Sequence, residues 1–198
     1  MGPISHTYVS QRLRLHFLEW GSASSPPLLL LHGGRDHCRS WDYFAERFSK
    51  NWRVICPDLR GHGDSEWVSD GNYEMAAYIY DLDQLIHQQK LAPVTIVAHS
   101  LGGNIALRYS GLFPENIKSL VAIEGLGFSP KMMDEREKRG LANRLRSWIS
   151  KRRDLAGRQV KKYSTVAQAI KRMQEENAHL TERMANHLTV HGINQNED

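Results

Sequence analysis

Four short apolar runs, each ended by glycine, proline or an acid, constrain the fold of this chain more than any other feature. They are residues 28–31 "LLLL" before "HGGRDH", 53–56 "RVIC" before "PDLRGHGDS", 94–98 "VTIVA" before His99 and Ser100, and 119–123 "SLVAI" before "EGLGF". Runs this continuous belong to strands buried on both faces of a parallel sheet. The earlier stretch "YVSQRLRLHFLEWG" alternates instead, which predicts an antiparallel hairpin at one edge. Helical patterns separate the runs. "SWDYFAERFSK" is one; "NYEMAAYIYDLDQLIHQQK" has apolar residues at 75, 78, 79, 82, 85 and 86; "LGGNIALRYSGLF" follows Ser100 and stops at Pro114. Strands alternating with helices predict an α/β fold with a mostly parallel sheet.

After Pro130 the character changes to helix-like stretches without a convincing strand, so we expect a core over residues 1–129 and a helical lid segment over 130–198. The 198 residues suffice for one sizeable core. No apolar run approaches the roughly 20 residues that span a bilayer, so no integral membrane segment is expected. The N-terminus lacks the charged start and apolar core of a signal peptide. Cys38 and Cys56 are too few for a disulfide framework, and a cytoplasmic location is the expectation. Residues 131–162 carry twelve Lys or Arg against four acids, enough to attract an acidic partner. The plainer reading is a solvated helical face, and no aromatic-studded motif points to nucleic acid.

The chemistry gathers around "VTIVAHSLGGNIALRY", residues 94–109. A serine hydroxyl becomes a useful nucleophile when it is exposed, offered to a base and faced by donors for an oxyanion. A tight strand-to-helix turn exposes it, and such a turn needs small residues two before and two after. Ala98 and Gly102 stand there, so "AHSLG" is a G-x-S-x-G with alanine in the first slot. The Leu101 N–H then lies at a helix N-terminus, where it can stabilise developing negative charge. A second donor is expected from "LHGG", with the Gly34 N–H favoured over Arg35.

Taken in order, His32-Gly33, "DLRGHGDS" and "AHSLGG", each following a strand-like run, resemble the α/β-hydrolase superfamily, in particular serine hydrolases with a helical cap. The resemblance is close over residues 1–130 and looser beyond. It implies an α/β-hydrolase sheet, here without its last strands, and Asp58, Arg60, Gly61, Gly63 and Ser65 match a turn read as structural. Dehalogenases and epoxide hydrolases of this superfamily carry aspartate where Ser100 stands. The resemblance therefore implies acyl chemistry on a small-molecule ester, thioester, amide or related bond, through an acyl-enzyme at Ser100 and without a cofactor.

The resemblance also places a catalytic histidine after the last strand, and no residue here matches that position. Glu124, ending the strand after the nucleophile helix, is a candidate for the acid; the alternative position follows a further strand. His99 is expected to point into packing, His32 to be structural, and His37 to line the pocket entrance with Trp148 on the lid. His62 lies in the Asp58–Ser65 turn and His87 on a helix. His187 and His191 are four apart, but a zinc protease would need Glu where Leu188 stands, so no metal is expected. The reading is thus a serine hydrolase cut off before its histidine. The alternatives are a catalytically inactive ligand-binding or regulatory module, and a truncated product that folds poorly around an exposed edge strand near 119–123.

Overall fold

A computed structural model describes residues 2–127, 129–156 and 161–194. The N-terminal hairpin pairs β1 (Ile4–Ser10) with β2 (Leu13–Trp20), from Ile4 opposite Glu19 to Ser10 opposite Leu13. Gln11 and Arg12 both take positive φ, 48° and 67°, the backbone of a two-residue turn whose twist suits a hairpin. The four apolar runs become β3 (Pro27–Leu31), β4 (Arg53–Pro57), β5 (Val94–His99) and β6 (Ile117–Ile123). One six-stranded sheet results, in the order β1-β2-β4-β3-β5-β6, antiparallel through β1, β2 and β4 and parallel from β4 to β6.

Leu28 to Leu31 show why the run has no polar alternation. Leu29 and Leu31 face a core built with Leu82, Leu85 and Ile86 of α2 (Met75–Gln88) and Ile105, Ala106 and Tyr109 of α3 (Leu101–Leu112). Leu28 and Leu30 face the other side, with Trp20, Val54, Cys56 and Ala45 of α1 (Asp42–Phe48). Successive side chains point to opposite faces, and helices cover both. Strand β6 departs from that expectation. It is the last strand of the sheet, and Val121 and Ile123 are 52% and 46% exposed because no further strand or helix of the described residues seals them.

The remaining helices are α4 (Pro130–Lys138), α5 (Gly140–Ala156), α6 (Val166–Glu176) and α7 (Glu182–Gly192). Ser129, Thr165 and Thr181 cap α4, α6 and α7 by accepting from amides three residues on. The chain divides into two compact units, residues 127–179 and residues 1–126 with 180–198. Helix α7, within the segment expected to form the lid, thus belongs to the unit that holds the sheet. Among the described residues no helix is long and apolar enough to cross a membrane.

Candidate active site

Ser100 sits between the end of β5 and the start of α3 with φ 50° and ψ −111°, a conformation that side-chain-bearing residues seldom adopt. The turn is held on both sides: the Ser100 N–H donates to the Ile123 carbonyl at 3.1 Å, and its own carbonyl accepts from Asn104 at 3.0 Å. The small residues around it are a packing requirement. A Cβ at Gly102 would lie 2.7 Å from the carbonyl oxygens of Leu31 and His32, and one at Gly103 would lie 2.8 Å from that of Glu124. Gly125 is equally constrained, because a side chain there would run into the Ser100 carbonyl. Ala98 is fully buried, so its methyl group fits where a glycine was the commoner expectation.

The "LHGG" segment comes to this turn because β3 and β5 are parallel neighbours, with Leu31 opposite Ala98. A Cβ at Gly33 would lie 3.3 Å from the Ser100 Cβ and 2.9 Å from His99 Nδ1, and one at Gly34 would touch the Leu101 side chain at 3.8 Å. Gly33 thus packs against the serine itself and Gly34 against the side chain of Leu101, the residue that follows Ser100. His32 is buried, pairs through Nδ1–H with the Gly33 carbonyl at 2.7 Å, and accepts the Leu59 N–H on Nε2 at 3.0 Å. Burial lowers its pKa to about 4, so it stays neutral and structural.

Beneath lies a network that the sequence reading noted only as a turn. Asp58 accepts the Cys38 N–H at 2.7 Å, the Asp64 N–H at 3.1 Å and His16 Nδ1–H at 2.7 Å, while His16 Nε2 pairs with Ser5 at 2.9 Å. Burial pushes the Asp58 carboxyl up, but the His16 and amide hydrogen bonds outweigh it and hold the pKa below the usual carboxylate value. Burial likewise pushes the Cys38 thiol far up, so it is no nucleophile. His16 was invisible as a partner, since it arrives through the pairing of β2 with β4, 42 residues away in sequence.

Glu124 is exposed at the end of β6 with φ 62°, its backbone against the Ser100 turn. Among the described residues, no hydrogen bond joins its carboxylate to a histidine, or a histidine to the Ser100 hydroxyl. His37 is buried, donating Nε2–H to the Leu188 carbonyl of α7 at 2.9 Å. Trp148, half exposed on α5, carries the Arg152 guanidinium 5.1 Å over its ring. Ser100 itself is half-buried at the start of α3.

The family model for the alpha/beta hydrolase fold matches residues 26–169. The chain belongs to the α/β hydrolase fold family. Among relatives of this family, the "Serine hydrolase-like protein" of Danio rerio is 32% identical over 112 residues, 56% of this chain and 34% of that protein. "Epoxide hydrolase 4" of Homo sapiens is 30% identical over 123 residues, 60% of this chain and 34% of that protein. A solved α/β hydrolase from Novosphingobium aromaticivorans superimposes with a TM-score of 0.71 at 26% identity, covering 94% of this chain and 63% of that one. The chain thus spans about a third of the length of the curated relatives it matches.

Proposed function

We propose that this α/β hydrolase chain carries the nucleophile of a serine hydrolase that cleaves an ester, thioester or related acyl bond. One observation carries the reading: Ser100 is held at positive φ between β5 and α3, with Gly33 against it and Gly34 against Leu101. Ser100 Oγ attacks the carbonyl carbon while a histidine base takes its proton, and the Leu101 and Gly34 N–H groups receive the developing oxyanion. Collapse expels the protonated leaving group and leaves an acyl-serine, which water, deprotonated by the same base, then hydrolyses. In this reading the base is a histidine, and among the described residues none is hydrogen-bonded to the Ser100 hydroxyl. Its orienting acid is Glu124 or a residue beyond.

The test is turnover of a p-nitrophenyl ester and a thioester by the longest native product and by the 198-residue chain. The longer product should turn over, and Ser100→Ala should remove most of the rate, of order 10⁶-fold in kcat where a triad member is lost. The 198-residue chain should show little activity by itself; ordinary turnover from it, abolished by Ser100→Ala, would overturn the missing base. Among the described residues no histidine is hydrogen-bonded to Ser100, and the second reading is a module that binds an acyl ligand without cleaving it. Saturable ligand binding without turnover in every native product would establish that alternative.

A further inference from the structure

A second cluster of titratable side chains gathers where α7 meets Asp42 of α1. His187 and His191, one helical turn apart on α7, place their rings on the same side, with centroids 4.9 Å apart. Asp42, the first residue of α1, meets them, and the three side chains offer ligand atoms all within 4.8 Å of one another. His187 Nε2 lies 3.3 Å from Asp42 Oδ2 and 3.1 Å from the Arg39 carbonyl oxygen. Two ligands bonded to zinc at about 2.0–2.1 Å and at a tetrahedral angle are about 3.3–3.4 Å apart, which the His187–Asp42 spacing already matches. His191, within 4.8 Å of both, turns inward on binding.

We propose that Asp42, His187 and His191 form a binding site for a divalent transition metal ion of the zinc class, which joins α7 to the segment leading into α1. The Asp42 carboxylate is the second observation that asks for a cation. Its side chain is only 10% exposed, and its Oδ1 has no hydrogen-bond partner among the described residues. Arg39 and His187 both meet Oδ2, each at 3.3 Å, which leaves Oδ1 open to a further partner. His191 is exposed and free to turn its imidazole onto the ion, and the Arg39 carbonyl is a hard oxygen at hand for the fourth position. In the loaded state the His187 ring proton resides on Nδ1, leaving the Nε2 lone pair for the metal.

Leucine at 188 means that the site has no HExxH base, and its role is a structural or regulatory tie. Asp42 is about 145 residues from the histidine pair and joins it only in the folded chain, so no local spacing in the sequence marks the site. By contrast the His16–Cys38–Asp58 group has its donors already committed to one another and to Ser5.

The test is titration of the untagged, chelator-treated 198-residue chain with zinc chloride by calorimetry, with cobalt(II) absorption as a second readout of the ligand field. One equivalent should bind and raise the thermal midpoint, as any ligand selective for the folded state does. His191→Ala, at an exposed position, should keep the circular dichroism of the parent and weaken binding at least about tenfold, and His187→Ala should do the same. His87→Ala on α2 should leave affinity unchanged. No saturable binding at millimolar zinc, or unaltered affinity in His191→Ala, would overturn the proposal.

Discussion

His32 shows how one buried residue next to the Gly33–Ser100 contact ties folding stability to pH. Both ring nitrogens are satisfied by backbone groups, and burial depresses its pKa from 6.5 to about 4. Between those values the unfolded chain holds a proton that the folded chain does not. Stability should therefore be constant with respect to this group above pH 6.5 and fall as the pH drops from 6.5 towards 4, by up to ~1.4 kcal/mol per pH unit. Urea midpoints measured across that window should decline, and the His32 ring signals in NMR should stay neutral at pH 5. A His32 that titrates near 6.5 would defeat the argument. Ser100 is the complementary case, since its strained φ persists because Gly102, Gly103 and Gly125 leave no room for the turn to relax into side chains.

The Arg60–Asp81 pair joins elements that local pattern alone keeps apart. Arg60, in the turn after β4, meets both carboxylate oxygens of Asp81 on α2 at 2.6 and 2.7 Å, and Ser10 of β1 donates to the same carboxylate at 2.6 Å. The guanidinium also donates to the Asn72 and Ala77 carbonyls, and its side chain is 1% exposed. Asp81→Ala leaves a buried cation without its anion and should cost about 3–5 kcal/mol in urea unfolding. Replacing both partners by apolar residues, Arg60→Met with Asp81→Leu, should recover much of that loss, because no charge then remains to desolvate. Equal destabilisation by the single and double variants would place the pair's contribution elsewhere.

At the scale of the whole molecule, the sheet has two edges, β1 of the hairpin at one side and β6 at the other. An edge strand with half-exposed Val121 and Ile123 presents apolar side chains and unpaired backbone groups together, the combination that promotes edge-to-edge pairing. The 198-residue chain should accordingly associate with rising concentration in light scattering. Val121→Lys with Ile123→Lys should suppress that association while leaving the far-ultraviolet circular dichroism unchanged, as a charge on an edge repels a second strand. Association that ignores both lysines would show that another surface drives it.

The apolar runs, the helical spacing in α2 and the "AHSLG" frame around Ser100 were legible in the sequence, because strand burial, helix amphipathicity and a crowded turn each act within a few residues. The Arg60 and Asp58 turn was visible as a pattern, but its partners Asp81 and His16 were not. Tertiary structure alone brought His16 to Asp58 through strand pairing, packed Glu124 and Gly125 against the serine turn, and set β6 at a sheet edge. It also carried α7 back to the sheet-bearing unit, where His37 meets Leu188 and His187 meets Asp42. Contacts between residues about 20 to 150 apart depend on how sheet and helices pack, and no local periodicity encodes them.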